Sequence, residues 1–177
     1  MKHVMLDLET MGNHHNSVIV SIGAVRFEPT TGEKGESFYR KIDFASCLKL
    51  GLEVNADTIE WWMQQNEVAR MKVAKVKGTH ISEVLVSFAE FIGKDDYIWG
   101  NSARFDIGIL QNAYNKAEID IPWDFKKELD VRTAMFFRQE IKAKVSWNGP
   151  AHDPIVDCNN QIDYVSKAYQ SIMENFG

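Results

Sequence analysis

The chain has 177 residues, of which 45% are hydrophobic and 25% charged, with a formal net charge of −5. That size and balance describe one globular domain over residues 1–177, large enough to bury a substantial core, and no run is long and apolar enough to cross a membrane. The negative balance argues against a protein that grips nucleic acid by bulk electrostatics, but not against an enzyme that acts on it.

Met1-Lys2-His3 leads straight into a strand, His3 to Leu8, which leaves no space for a signal peptide. Inside that apolar run Asp7 and Glu9 stand two residues apart, on the same face of the strand. Ser17 to Phe27 is β-branched and apolar and reads as a second strand, with Gly23 marking a close approach or a bulge. Pro29 to Glu33 forms a turn, and Glu36 to Ile42 alternates as a third strand, so the chain opens with an antiparallel meander.

Helical patterns follow. Asp57 or Thr58 caps a helix carrying Ile59, Trp61, Trp62 and Met63, and Glu67 to Val76 continues helically after a break near Asn66. Ser82-Glu83 opens an amphipathic helix that Gly93 ends. Tyr97 to Gly100 is a short buried strand, Ala103 to Lys116 a helix, and Glu128 to Val131 a last short strand followed by a helix to about Ile141. Asp157 to Met173 closes the chain as a helix with Ile162, Val165, Ala168 and Ile172 inward. A meander followed by strands alternating with helices predicts an α/β domain with a mixed five-stranded sheet flanked by helices. Cys47 and Cys158, the only cysteines, have no CxxC spacing; they read as free thiols in a reducing, cytoplasmic setting, and no structural zinc pattern is present.

The acids carry the chemistry. Two anions as close as Asp7 and Glu9 repel and lose hydration, so they call for a cation between them, and oxygen ligands suit magnesium or manganese. An outer strand face with two solvated acids is the plain alternative. Asp106 follows the Gly100-Asn101 turn, in the first turn of a helix, where the helix dipole alone would also favour an acid. His152 and Asp157 straddle a helix start that Pro154 helps define, so a loop can aim the imidazole where the helix presents the carboxylate. All four acids lie at strand ends or helix starts, where α/β folds gather ligand sites.

The order Asp7-Leu8-Glu9-Thr10 with Gly12, then Asn101 and Phe105-Asp106, then His152 to Asp157, resembles the DEDDh branch of the DEDD exonuclease superfamily over about residues 3–175. Thr58 to Trp62 and Asp130 to Thr133 are most similar to a phage and bacterial subgroup that includes a mycobacterial 3′–5′ exoribonuclease and exonuclease A of T-even phages. Pro154-Ile155 departs from the family pattern, where an alanine often sits, and should alter loop shape more than chemistry. The resemblance implies an RNase H-like fold and a metal-dependent 3′–5′ exonuclease of phage or prophage type. Two Mg²⁺ or Mn²⁺ ions about 3.5–4 Å apart would serve both the attacking and the leaving oxygen. Asp7 would bridge both ions, Glu9 and Asp157 would complete one, and Asp106 would hold the other. His152 would take a proton from the attacking water. The product would be a nucleoside 5′-monophosphate.

Thr10 and Met11, next to the metal acids, are candidate contacts to the terminal nucleotide, as is Asn101. Trp61 and Trp62 diverge by about 100° on their helix, so one of them could stack on a base while the other packs; both as packing residues is the alternative. Arg132, two residues after Asp130, could touch a phosphate. Lys72, Lys75, Lys77, Lys126, Lys127, Lys142 and Lys144 could line a phosphate track or simply be solvated. Single-stranded DNA or RNA, or a duplex with a 3′ overhang, are all compatible substrates. A homodimer through Phe136-Phe137 is compatible too, although such rings are more often core. The competing functions are an endonucleolytic RNase H-like enzyme, which need not keep His152, and a non-catalytic nucleic-acid-binding domain.

Overall fold

The computed structural model describes residues 1–74, 77–150 and 152–176. Three strands open it: β1 (His3–Thr10), β2 (Ile19–Glu28) and β3 (Glu33–Lys41). Four helices follow: α1 (Phe44–Lys49), α2 (Ala56–Gln64), α3 (Glu67–Ala74) and α4 (Ile81–Phe91). The second half is β4 (Tyr97–Gly100), α5 (Asp106–Lys116), β5 (Glu128–Asp130), α6 (Val131–Phe136), α7 (Gln139–Lys144) and α8 (Pro154–Phe176).

The five strands form one sheet in the order β3-β2-β1-β4-β5. β1 pairs antiparallel with β2 and parallel with β4, β2 pairs antiparallel with β3, and β4 pairs parallel with β5. The meander and the mixed sheet are therefore as the pattern predicted. Alternation along β1 divides the core. Val4, Leu6 and Leu8 enter one cluster with Leu85 and Phe88 of α4 and Leu110 and Tyr114 of α5. Met5 enters the other, with Cys158, Ile162 and Val165 of α8 and Met135 of α6. Asp7 and Glu9 continue the Met5 side of β1, toward the end of the strand where α8 begins.

Several boundaries differ from the sequence reading. Helix α1 was not anticipated; six residues held by an Asp43 cap are too few to show a period. The single helix expected to about Ile141 is two, broken at Phe137 and Arg138. That break leaves Phe136 and Phe137 about 67% and 70% exposed, contrary to the core role such rings usually take. Helix α8 starts three residues early because Pro154 occupies its first position and Asp153 caps it. The helical pattern over 67–76 is realised as Glu67–Ala74; Lys75, Val76 and the side chain of Lys142 lie outside the described residues. Cys47 and Cys158 are buried free thiols. Among the described residues, no helix is long and apolar enough to cross a membrane.

Candidate active site

Asp7 pairs across the sheet with Gly23 of β2. A Cβ built on Gly23 would sit 2.4 Å from Pro154 Cβ and 2.9 Å from its carbonyl carbon. The bare glycine thus lets the start of α8 settle onto the sheet beside Asp7, as its position in the strand foreshadowed. One turn along, Asp157 points into the same place. Gly100 does the equivalent for Asp106: a Cβ there would meet Asp106 Cβ at 3.2 Å. The chain folds back so that Asp106 accepts hydrogen bonds from the backbone N–H of Leu8 at 3.2 Å and of Ser102 at 3.3 Å. Asp106 is buried, so its role goes well beyond an exposed acid facing the helix dipole.

His152 adopts φ +60°, a left-handed conformation rare outside glycine that costs roughly 1–3 kcal/mol and needs its surroundings to hold it. Its ring meets Trp61 edge-on at 4.9 Å and Trp62 at 5.7 Å. Ligand atoms of Glu9, His152 and Asp157 all lie within 4.8 Å of one another. All five predicted residues thus converge at the ends of β1 and β4, the side of an open α/β sheet where ligands bind.

The charges are poised for a cation. Burial, followed by the nearby Asp106, Glu9 and Asp157, pushes the Asp7 carboxyl well above its usual range. Burial, then Asp157, raises Glu9 to about 8. Burial raises Asp106 to about 7 against the pull of its backbone donors, and burial with Asp153 raises Asp157 to about 6. Asp157 Oδ1 is buried with no hydrogen-bond partner among the described residues, as is the Oε1 of Gln161, whose Nε2 donates to Asp7 Oδ1 at 3.0 Å. Four crowded carboxyls with an orphaned oxygen fit hard divalent ions held by Asp7, Glu9, Asp106 and Asp157. His152 is shifted the other way, below its ordinary value, by burial and by the Lys72 ammonium.

The predicted substrate contacts separate. Trp62 is buried and donates its indole N–H to the Thr10 carbonyl at 2.9 Å, whereas Trp61 is 41% exposed. The two rings diverge as helical geometry required. Thr10 and Met11 are both buried; the Thr10 hydroxyl donates to the Gly12 carbonyl at 2.6 Å. Met11 lines an apolar cleft of about 260 Å³ with Ile59, Trp62, Met63 and Val73. Asn101 and Arg132 line a crevice with Asp7 and Asp106. Asp153 and Gln161 escaped the sequence reading, and Lys72, expected only to line a phosphate track or be solvated, instead meets Asp153 with its ammonium at 2.8 Å. No local signal marks them, because their partners lie 81 and 154 residues away in the chain.

The profile of the 3′–5′ exoribonuclease Rv2179c-like domain matches residues 2–169. The chain belongs to this family. It is a 3′–5′ exonuclease, which sets aside the non-catalytic reading. It is 25% identical over 199 residues to the exodeoxyribonuclease of Enterobacteria phage T4, covering 89% of this chain and 85% of that one. The fold is also that of the nuclease domain of 3′hExo, a DEDDh family member bound to rAMP, with TM-score 0.68 and 12% identity over 96% of this chain and 92% of that one. Escherichia coli exonuclease I in complex with a dT13 oligonucleotide matches with TM-score 0.70 and 15% identity over 98% of this chain, which spans 42% of that enzyme.

Proposed function

We propose that this exonuclease shortens single-stranded DNA or RNA, or the 3′ overhang of a duplex, one nucleotide at a time from the 3′ end. Two Mg²⁺ or Mn²⁺ ions held by Asp7, Glu9, Asp106 and Asp157, with His152 as general base, would release nucleoside 5′-monophosphates. The observation that carries this reading is the gathering of the Glu9, His152 and Asp157 ligand atoms within 4.8 Å, with Asp7 alongside on the same strand face.

When bound, divalent ions there neutralise the charge that builds on the phosphate and acidify the attacking water. The protein's own groups do the rest. His152, held neutral near pH 7 by burial and the Lys72 charge, accepts the water proton on its ring. The 3′ oxygen of the shortened strand departs with the electron pair of the broken P–O bond. Trp61 offers an exposed indole face for the terminal base, beside the apolar cleft that Met11 lines. Arg132 and Asn101, next to Asp106, suit the scissile phosphate and its sugar. The remaining strand is taken to leave over the neighbouring cleft of about 280 Å³, whose walls include Asn13, His14, His15 and Arg104.

The working location is taken to be cytoplasmic, where two buried free thiols stay reduced. A homodimer through the exposed Phe136-Phe137 pair belongs to the same reading. RNA and DNA oligonucleotides labelled at either end, single- and double-stranded, test the function with and without Mn²⁺. The reading requires a metal-dependent ladder shortening from the 3′ end with 5′-monophosphates as product. Internal cuts, removal from the 5′ end, or metal-independent cleavage would overturn it.

A further inference from the structure

His152 sits in a backbone conformation that it does not adopt by preference, on a loop that sets its ring in T-shaped contact with two indoles. Something must hold the loop there. The next residue, Asp153, has two jobs at once. Its Oδ1 accepts from the backbone N–H groups of Ile155 at 3.1 Å and Val156 at 3.3 Å, capping α8, and its carbonyl accepts from Asp157 N–H at 2.8 Å. Its Oδ2 takes the Lys72 ammonium of α3 at 2.8 Å. Lys72 is itself anchored, because its carbonyl accepts from the Lys41 ammonium of β3 at 3.2 Å. The chain of contacts therefore runs from the sheet edge through α3 into the residue between His152 and the metal-ligand helix. Lys72 also lines the crevice that holds Glu9 and His152.

We infer that Lys72 is a positioning residue: through its ion pair with Asp153 it latches the His152 loop against Trp61 and Trp62, aiming the imidazole at the site formed with Glu9 and Asp157. The kinetic part of this inference rests on the proposed role of His152 as the base, whereas the geometric part does not. A lysine acting on the strand directly would instead grip a phosphate.

Three variants separate these. Lys72→Met removes the ammonium but keeps the apolar stem. Asp153→Asn removes the charge but keeps a good helix cap, since asparagine caps as well as aspartate. Lys72→Arg restores a cation. The first readout is the His152 Cε1–H resonance of the metal-free protein at a pH where the imidazole is neutral in every variant, assigned with His152→Gln and displaced by the adjacent indole rings in the parent. It shifts toward the position of a free histidine in Lys72→Met and in Asp153→Asn, and returns in Lys72→Arg. The second readout is turnover of a 3′-end-labelled oligonucleotide with Mn²⁺. Each single variant loses about tenfold in kcat with KM within about twofold, a part of the ~10²–10⁴-fold that a general base supplies. The Lys72→Met, Asp153→Asn double variant is no slower than the worse single, because both cut one path. An unchanged resonance overturns the latch, and so does a raised KM with intact kcat, which would make Lys72 a phosphate contact. A parent protein with no nuclease activity would defeat the functional reading, and the resonance would still decide the latch.

Discussion

Gly23 is the position on which the whole site leans, and Gly23→Ala tests that directly. The added methyl would lie 2.4 Å from Pro154 Cβ, about 1 Å inside the 3.4 Å at which ordinary contact begins, and 2.9 Å from the Pro154 carbonyl carbon. Backbone and a rigid pyrrolidine ring cannot swing aside, so the first turn of α8 must lift off β2, carrying His152 and Asp157 with it. Overpacking of this kind costs about 1–3 kcal/mol, or roughly 2–12 °C in Tm for a domain of this size. A displacement of about 1 Å at a reacting centre costs on the order of 10²-fold in turnover. The internal control is Gly108→Ala, where a new methyl finds nothing nearer than the Ala103 carbonyl oxygen at 3.9 Å. That change in the first turn of α5 should leave turnover alone and raise Tm slightly, by removing backbone freedom from the unfolded chain. Turnover is read on a 3′-labelled oligonucleotide well below the melting temperature, with circular dichroism confirming the fold. A folded Gly23→Ala protein within twofold of the parent would refute the idea that this contact places Asp157.

Asp7→Asn removes one carboxyl from the crowded cluster. Turnover should fall by at least ~10²-fold while the metal-free Tm rises, and a lowered metal-free Tm would argue against the crowding. The raised carboxyls set a pH dependence for the metal-free protein. The folded state holds these protons more tightly than the unfolded chain, so stability is full near pH 4 and declines as pH climbs through about 6, 7 and 8, where Asp157, Asp106 and Glu9 ionise. Mn²⁺ should flatten that decline; melting curves that rise across the window would contradict it. Trp61→Ala should raise KM for an oligonucleotide about 5- to 150-fold, the worth of one stacked base, and an unchanged KM would return Trp61 to a packing role.

How much was legible in the sequence follows from the range of each interaction. The Asp7–Glu9 face of β1 is a matter of alternation, whereas the meeting of Asp106, His152 and Asp157 with it was implied by the family resemblance that their order along the chain carries. The divergence of Trp61 from Trp62 follows from helical geometry alone, and 41% against 5% exposure matches it. Gly23 showed as a close approach, but nothing local says that Pro154 is what approaches. The Lys72–Asp153 pair and the Gln161–Asp7 hydrogen bond depend on packing α3 and α8 against the sheet, which no window of residues encodes. The break at Phe137, which turns two expected core rings outward, was invisible because no glycine or proline marks it.

Crystals of the protein soaked in Mn²⁺ and measured for anomalous scattering would test the central assignment most directly. Density for manganese enclosed by Asp7, Glu9 and Asp157, with a second peak toward Asp106, is the predicted result. Manganese bound elsewhere, with those four carboxylates left bare, would contradict it.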